Sequence, residues 1–415
     1  MPSASSTGTL QVTVLSSETQ FPIPGANVQI YDPANPSEIL ADVSTDASGQ
    51  TELLTLPTPP LSYSQSPGKP QPFADYSINI RASGFFSAQI TGSELFADTV
   101  SRQPVRLTRT NESSPILSDQ IDIPPNTLFG DYPPKIPEDA IKPIRSSGEI
   151  VLSRVVVPQT IVVHDGTPSN SNAPDYYVPY RDYIKNVACS EIYATWPRAT
   201  IIANVLAILS FTLNRVYTEW YRSKGYNFTI TSSTAYDHKW IYGRNIFQEI
   251  SVIVDEIFDQ YLSFPNVRQP ILTQYCDGRQ VTCPQWMSQW GSKALGDAGY
   301  SPIEILRNYY GNSIYINTAE EISGIPISWP GYDLTIGSSG QKVRQLQEQL
   351  NVIAGVYSAI PTLTEDGIYG AGTAAAVREF QSIFGLPQTG VTDFSTWYRI
   401  SQIYVGVTGI AELNP

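Results

Sequence analysis

Residues 182–217 read DYIKNVACSEIYATWPRATIIANVLAILSFTLNRVY, and this stretch predicts the centre of the fold. A short helical pattern ends near Glu191, and Trp196-Pro197 separates it from a long apolar run. Proline is tolerated in the first turn of a helix, where its missing N–H would have no partner. The run beginning at Arg198 therefore predicts a buried helix. An acid just ahead of such a helix lies where its surroundings can change its pKa, so Glu191 is the first candidate for chemistry.

Length and composition describe a globular protein of several domains. The 415 residues allow roughly two to four domains, and 15% of them are charged. The net charge of −13 and the lack of a basic patch in the sequence argue against nucleic acid as a partner. Binding to a glycan would rest on stacking and hydrogen bonds, for which 25 Tyr and 7 Trp offer flat surfaces.

Targeting signals are weak in this sequence. The opening MPSASSTGTL has neither the basic nor the apolar region of a secretory signal, so none is expected. The longest apolar run, near 199–213, is expected to be too short and too polar for membrane insertion.

The pattern along the chain predicts a multidomain protein. Residues 1–108 alternate like strands, as in LQVTV and YSINIRASGFFSAQI, and predict an all-β sandwich. Residues 109–150 are Pro-rich and predict an extended, exposed linker, where proteases cut readily. Residues 151–325 mix both patterns and predict an α+β domain. Its helix IFQEISVIVDEIFDQYL places Ile246, Ile250, Ile253 and Ile257 in the core. Residues 326–415 predict a small three-helix domain.

Several segments carry resemblances to known families. The strand order of the N-terminal region resembles the carboxypeptidase regulatory-like sandwich, which implies a pro-region without catalytic residues. SEIYATWPRATIIANVLAILSFTLN (190–214) and MSQWGSKALGDAGYSPIEILRNYYG (287–311) resemble the two signatures of the stage II sporulation protein D family. The overall layout is similar to that of the clostridial spore cortex-lytic proenzymes. This resemblance implies activation by a serine protease that cuts between about Arg145 and Val157.

The C-terminal region resembles a peptidoglycan-binding repeat. The segments that carry the resemblance are VRQLQEQL (343–350), DGIYGAGTAAAVREFQ (366–381) and GLPQTGVTDFSTW (385–397). It implies that this domain holds the protein on the wall and raises the local substrate concentration. The residues assigned to wall binding are Asp366, Tyr369, Gln381 and Trp397.

The sporulation family resemblance implies that Glu191 is the catalytic residue of a lytic transglycosylase. A carboxylic acid can protonate a glycosidic oxygen if burial raises its pKa, and it can then act as a base. A hydrolase would need a second carboxylate, whereas here the C6 hydroxyl of muramic acid attacks intramolecularly and leaves a 1,6-anhydro end. From the residues alone, the alternative is a glutamate stabilised by the N-terminus of a helix.

The second motif has two readings. In the functional reading Gln289 bonds sugar hydroxyl or N-acetyl groups and Trp290 stacks on a ring, with Ser288 beside them and Tyr310 as a weaker contact. In the alternative reading the motif is a tight strand-to-helix turn with Trp290 in the core.

Three cysteines and two histidines leave little material for a metal site. Cys276 and Cys283 could hold zinc with His238, but their spacing fits no common zinc motif. A disulfide or two free thiols is the preferred reading, and no cofactor is expected. Cys189 with His164 or His238 could form a peptidase pair, but a buried small hydrophobic residue is the preferred reading of Cys189.

We therefore predict an enzyme that cleaves peptidoglycan glycan strands as a lytic transglycosylase, in the cortex or coat region of a spore, and that is made as a proenzyme for germination. One alternative is a non-enzymatic wall-binding enhancer of an N-acetylmuramoyl-L-alanine amidase. The other is an amidase, which the small number of histidines disfavours.

Overall fold

The computed structural model describes residues 6–68, 70–110, 119–142, 153–325 and 327–409. A strand-rich N-terminal region, a mixed central region and a helical C-terminal region follow one another, which confirms the predicted fold class. Most of the segment between Arg145 and Val157, where we predict cleavage, lies outside the described residues.

The N-terminal region consists of two packed sheets. Residues Leu10, Val12 and Val14 of the first strand are buried while their neighbours are less so, as expected for a strand with one face in a core. The sheet orders are β13-β7-β1-β4, in which β13 (Ile246–Phe247) comes from the central region, and β3-β2-β5-β6-β8. The strands of this region are β1 (Ser6–Ser16), β2 (Asn27–Tyr31), β3 (Ile39–Ser44), β4 (Leu54–Thr58), β5 (Ala74–Arg81), β6 (Ala88–Leu95), β7 (Val100–Leu107) and β8 (Asp119–Asp122).

The described part of the Pro-rich linker is extended and exposed at many positions, but other residues of it pack against the central region. After β8 the chain follows the central region, and Asn126, Tyr132 and Lys135 are buried. Its backbone bonds to the central region, for example from Ile136 N to the Ala235 carbonyl (2.8 Å) and from Leu272 N to the Ala140 carbonyl (2.8 Å). Because these polar groups are paired with protein, the segment can lie against the domain without an unsatisfied backbone.

The central region surrounds one buried helix. Its helices are α1 (Tyr180–Glu191), α2 (Arg198–Tyr217), α3 (Gln248–Ile257), α4 (Gln289–Asp297) and α5 (Pro302–Tyr310). Its strands are β9 (Val156–Val157), β10 (Thr160–His164), β11 (Asp175–Pro179), β12 (Ile230–Thr231), β13 (Ile246–Phe247), β14 (Gln260–Ser263), β15 (Tyr275–Cys276), β16 (Met287–Ser288), β17 (Tyr315–Thr318) and β18 (Glu321–Ile322). Ile246 lies in β13 and is only partly buried, so the predicted helix begins two residues later than expected.

Helix α2 is the core of this region. Among the described residues it is the one helix that is long and apolar enough to cross a membrane, so our expectation that the run was too short was wrong. Within the molecule, however, its most apolar window is 89% buried. Several of its buried polar groups have partners: Ser210 Oγ donates to the Ile271 carbonyl (2.8 Å), and Asn214 Nδ2 donates to the Pro270 carbonyl (2.7 Å). These bonds allow polar side chains to be buried at little cost.

Strand pairing, an ion pair and aromatic packing hold the N-terminal and central regions together, in addition to the covalent chain. Strand β13 pairs antiparallel with β7, so one sheet spans both regions. Fully buried Glu94 and Arg244 form an ion pair across the boundary (3.1 Å). The rings of Phe96 and Phe247 lie 5.1 Å apart in a shared core. The sandwich is therefore a packed partner of the central region.

The C-terminal region contains α6 (Gln341–Ala354), α7 (Ala371–Ile383) and α8 (Phe394–Thr408). Helix α8 docks on the central region: Arg181 Nη2 donates to the Tyr398 carbonyl (2.8 Å), and Ser395 Oγ donates to the Asp255 carbonyl (3.1 Å). The rings of Phe258 and Phe394 stack at 5.4 Å. These contacts place the C-terminal region against α1 and α3.

Candidate active site

Glu191 is the last residue of α1 and is fully buried. The chain leaves the helix at Ile192 in an extended conformation, and α2 begins only at Arg198. The reading of Glu191 as a helix N-terminal residue is therefore wrong. The C-terminal end of a helix carries partial negative charge, which disfavours a nearby carboxylate.

The Glu191 carboxyl accepts hydrogen bonds from two donors. The backbone N–H of Lys239 donates to Oε1 (2.6 Å), and the Tyr275 hydroxyl donates to Oε2. Burial raises the pKa of Glu191, and the charge of Lys135 and these two hydrogen bonds offset part of that rise. A tyrosine hydroxyl can donate to a carboxylate and accept from a carboxylic acid, so Tyr275 can serve both protonation states of Glu191.

Strand pairing brings the second motif to this carboxyl. Strands β15 and β16 run parallel, with Tyr275 opposite Met287 and Cys276 opposite Ser288. The next residue, Gln289, is buried, and its Nε2 donates to the backbone carbonyl of Glu191 (3.2 Å). The two predicted signatures are therefore in direct contact.

The second motif is also the strand-to-helix turn of the alternative reading. Ser288 is the N-cap of α4, and its Oγ accepts from Gly291 N (2.9 Å). Trp290 is partly buried against Trp196, with ring centroids 5.0 Å apart. The Tyr310 hydroxyl donates to the Gln274 carbonyl (2.9 Å). Ser288, Trp290 and Tyr310 thus hold the structure, while Gln289 Oε1 has no hydrogen-bond partner among the described residues.

The surroundings of Tyr275 include residues that the motifs did not indicate. The His238 ring stacks on the Tyr275 ring at 5.8 Å, and its Nδ1 lies 3.0 Å from the Tyr183 hydroxyl. Burial lowers the pKa of His238 well below its ordinary value, so this ring is neutral. The sequence reasoning missed Tyr275 and the Lys239 N–H. Tyr275 stood in a segment that predicted only a strand and a turn, and a backbone N–H leaves no mark in a sequence.

A second carboxylate lies in the same area. The Asp277 side chain is buried and accepts hydrogen bonds from Gln280 N (2.6 Å) and Val281 N (2.9 Å). The pKa of Tyr132 is raised well above its ordinary value by burial, and then by the charges of Glu191 and Asp277. Asp277 is therefore the nearby acid to consider if the reaction requires two.

The remaining cysteine and histidine candidates are held by the fold. Cys276 and Cys283 form a disulfide, one of the alternatives left open by the sequence. Cys189 is fully buried, and burial raises its pKa to about 12, which does not suit a nucleophile. His164 bonds Asp175 through Nδ1 (2.7 Å) and stacks on Phe228. The described residues contain no group of three or more His, Cys, Asp or Glu side chains that could hold a metal ion.

In the C-terminal region only one of the predicted wall-binding residues is at the surface. Tyr369, Gln381 and Trp397 are buried and support the fold, and their assignment to wall binding stays a prediction. Gln381 Nε2, for example, donates to the Val391 carbonyl (2.9 Å), and the Tyr369 hydroxyl donates to the Gly390 carbonyl (2.9 Å). Asp366 is exposed and accepts from Gln347 Nε2 (3.0 Å).

Comparison with known proteins identifies the C-terminal region. Residues 339–400 match the peptidoglycan binding domain family. The C-terminal helices form a peptidoglycan-binding domain. This match concerns the C-terminal region and indicates a peptidoglycan-binding role for that region.

Other likenesses are partial. The chain is 41% identical over 76 residues to the zinc D-Ala-D-Ala carboxypeptidase of Streptomyces albus G, which is 18% of this chain and 28% of that protein. The chain thus spans less than a third of this curated relative.

Similar solved structures include three proteins. The Bacillus anthracis TIE protein is 15% identical, with a TM-score of 0.18 over 25% of this chain and 17% of its own. Klebsiella pneumoniae 5-hydroxyisourate hydrolase is 21% identical, with a TM-score of 0.17 over 25% of this chain and 92% of its own. GBS52, the minor pilin of Streptococcus agalactiae, is 14% identical, with a TM-score of 0.19 over 27% of this chain and 48% of its own. Likenesses of this size carry no argument about activity.

Proposed function

We propose that the protein is a peptidoglycan-cleaving enzyme that acts on the glycan strand as a lytic transglycosylase, with Glu191 as its acid and base. The observation that carries this proposal is a fully buried carboxyl with a raised pKa, bonded by the Tyr275 hydroxyl and the Lys239 N–H. It lies in a chain that also carries a peptidoglycan-binding domain.

The proposed reaction uses Glu191 twice. Protonated Glu191 gives its proton to the glycosidic oxygen while the bond from that oxygen to C1 of muramic acid breaks. The carboxylate then takes the proton of the C6 hydroxyl while the C6 oxygen bonds to C1, and the acid is restored. No water is consumed, so a second carboxylate is not needed. The Tyr275 hydroxyl donates to the carboxylate that the first step leaves and stabilises it until it takes the C6 hydroxyl proton.

In this proposal Gln289 and the peptidoglycan-binding domain contribute to substrate binding. Gln289 Oε1 is free to accept from a sugar hydroxyl or N-acetyl N–H, because its Nε2 is already held by the Glu191 backbone. The peptidoglycan-binding domain keeps the protein on the polymer, which raises the concentration of glycan at the site.

The resemblance of the motifs supports a more specific setting. In this proposal the substrate is spore cortex, the protein resides in the cortex or coat region, and a serine protease that cuts between about Arg145 and Val157 activates it during germination. Burial of Glu191 in the uncut chain supports a latent form, because no substrate reaches a carboxyl with no exposed surface.

The test is mass spectrometry of cortex sacculi digested by the full chain. The chain would be assayed before and after cleavage at a site-specific protease sequence introduced between residues 145 and 152, beside a Glu191→Gln variant treated in the same way. We expect 1,6-anhydro ends from the cleaved wild type and none from the cleaved variant. Ordinary reducing ends would instead indicate a hydrolase, with Asp277 as the second carboxylate.

A non-enzymatic function is the second candidate, and the complete enclosure of Glu191 favours it. In this alternative the protein is a wall-binding enhancer of a separate amidase. Cleaved chain that yields no products alone, but accelerates an added N-acetylmuramoyl-L-alanine amidase, would support it. Freed stem peptides without an added enzyme would indicate that this chain is itself an amidase. Of the activities considered, an amidase is the most similar to that of the carboxypeptidase relative.

A further inference from the structure

We propose that residues 126–142, the cover segment, occupy the place of the glycan and hold the Glu191 site closed in the uncut chain. This inference rests on the proposed function, since it assigns a means of regulation to that site. It locates the block in a particular stretch of seventeen residues rather than in the sandwich as a whole.

The cover segment begins by capping the end of α1. Asn126 Nδ2 donates to the carbonyls of Cys189 and Ile192 (3.1 Å each), and Thr127 N donates to the Ser190 carbonyl (3.0 Å). The last carbonyls of a helix have no partner within it, so they need external donors. These acceptors flank Glu191 and would be available to sugar hydroxyl groups once the cover segment leaves.

The middle of the cover segment packs against Tyr275, the tyrosine that donates to the carboxyl. Tyr132 and Lys135 are each only 5% exposed. The Lys135 ammonium lies 4.9 Å from the centre of the Tyr275 ring, the same tyrosine that donates to Glu191. Lys135 also donates to the Asp237 carbonyl. The segment therefore places a cation beside Glu191 and an aromatic ring in its surroundings, where both exclude solvent.

This closure leaves polar atoms without partners. Among the described residues, four buried atoms here have no hydrogen-bond partner: Tyr132 Oη, His238 Nε2, Trp240 Nε1 and Gln289 Oε1. His238 and Trp240 flank Lys239, whose N–H bonds Glu191, and Gln289 bonds the Glu191 backbone. A buried polar atom without a partner is costly and usually has a reason. Donors and acceptors set around a carboxyl suit a ligand rich in hydroxyl and acetamido groups, such as a glycan, better than they suit the cover segment.

The far end of the cover segment is anchored separately. Glu138 forms two hydrogen bonds with Arg215 (2.6 and 3.1 Å), and Gln274 Nε2 donates to the Ile136 carbonyl (2.8 Å). Because the two ends have their own contacts, weakening the middle should open the site without releasing the whole N-terminal region.

The test is chemical labelling of carboxyl groups in the full, uncut chain with a carbodiimide and glycine ethyl ester, followed by peptide mass spectrometry. We compare the wild type with a Tyr132→Ala/Lys135→Ala variant and with the matched control Asp131→Ala/Ile136→Ala, which changes two exposed neighbours. We expect Glu191 to be protected in the wild type and control. In the cover variant it should react about a hundredfold faster, the order of magnitude by which truncating one buried aromatic side chain shifts an opening equilibrium.

Buried Asp255, which pairs with Lys185 (2.6 Å) away from the cover segment, reports on unfolding in the same digest. Labelling of Glu191 but not Asp255 supports the proposal. Protection of Glu191 in a folded cover variant, or labelling of Glu191 in the wild type, overturns it. If Asp255 also reacts, the milder Lys135→Met variant is tested by the same criterion.

A soluble glycan tetrasaccharide of alternating N-acetylglucosamine and N-acetylmuramic acid separates this inference from the proposed function. Protection of Glu191 by the tetrasaccharide in the open variant, with 1,6-anhydro products from sacculi, supports both. In another outcome Glu191 is labelled in the cover variant, but the tetrasaccharide neither protects it nor is cleaved. That result contradicts the proposed function and the idea that the cover segment occupies the place of glycan. Closure of the site by the cover segment would still stand.

Discussion

Replacing Glu191 with glutamine should change how the stability of the protein depends on pH. The folded protein raises the pKa of Glu191 above its ordinary value of 4.5, mainly because the carboxyl is buried. Between 4.5 and the folded-state pKa, the unfolded chain loses the proton and the folded chain keeps it. Unfolding then releases a proton, so the free energy of unfolding falls as the pH rises through this window. Below 4.5 this contribution is fully present, and above the folded-state pKa the loss is complete.

The size of the effect follows from the same linkage. Each unit by which the folded-state pKa is raised corresponds to about 1.4 kcal/mol of stability lost on passing through the window. The raised pKa already includes the attraction of Lys135. Glutamine keeps the shape of the side chain and does not titrate in this range, so its Oε1 can still accept from Lys239 N. The variant should therefore gain stability relative to the wild type as the pH rises from 4 to 8.

The assay is urea unfolding of both proteins, followed by tryptophan fluorescence, at one-unit intervals across that range. Taking the difference between the two proteins removes the contributions of other buried acids, such as Glu94 and Glu249, whose pKa values burial also raises. Exposed Glu256, which pairs with Arg198 at the surface, provides the control variant Glu256→Gln, for which we expect a flat difference. A flat or falling difference for Glu191→Gln would refute the reasoning that burial dominates at this carboxyl.

Other substitutions test neighbouring parts of the argument. Tyr275→Phe removes a donor to Glu191, so activity of the cleaved chain should fall and the pKa on the alkaline limb of its pH–rate profile, where Glu191 loses the proton it must donate, should rise, with an unmoved limb counting against a direct bond. Asp255→Asn leaves two buried cations underpaired and should cost about 3–5 kcal/mol in urea unfolding at pH 7, whereas a loss no larger than that of Glu256→Gln would contradict the buried network. Because the pKa of Asp255 is lowered from 3.8, its contribution should persist above that pH and disappear as the pH falls through the folded-state pKa. Cys283→Ser opens the disulfide and should cost about 2–4 kcal/mol, and an equal stability of variant and wild type without reductant would show that the bridge does not form.

Much of the architecture was readable from local pattern. Alternation in β1 predicted a one-sided strand, and the unbroken apolar run after Pro197 predicted the buried helix α2. Boundaries were less secure: Ile246 fitted a helical period but pairs in β13, because a strand of the sandwich lies beside it. The Pro-rich linker shows the same limit. Its composition predicted an extended backbone, but only the neighbouring central region decides that Asn126 and Lys135 are buried.

The candidate site, like the architecture, could be predicted from the sequence only in part. The sequence by itself indicated Glu191 and Gln289 as site candidates, because each belongs to a recognisable motif, and it indicated the peptidoglycan-binding domain through an ordered set of segments. Only the tertiary structure decided what surrounds the carboxyl: Tyr275 reaches it across 84 residues, and Lys135 packs against the Tyr275 ring. The physical reason is that periodicity reports which residues are buried, whereas the partner of a buried polar group depends on which elements pack together. The pKa of Glu191 depends on those partners and on burial, so it is a property of the fold rather than of the motif.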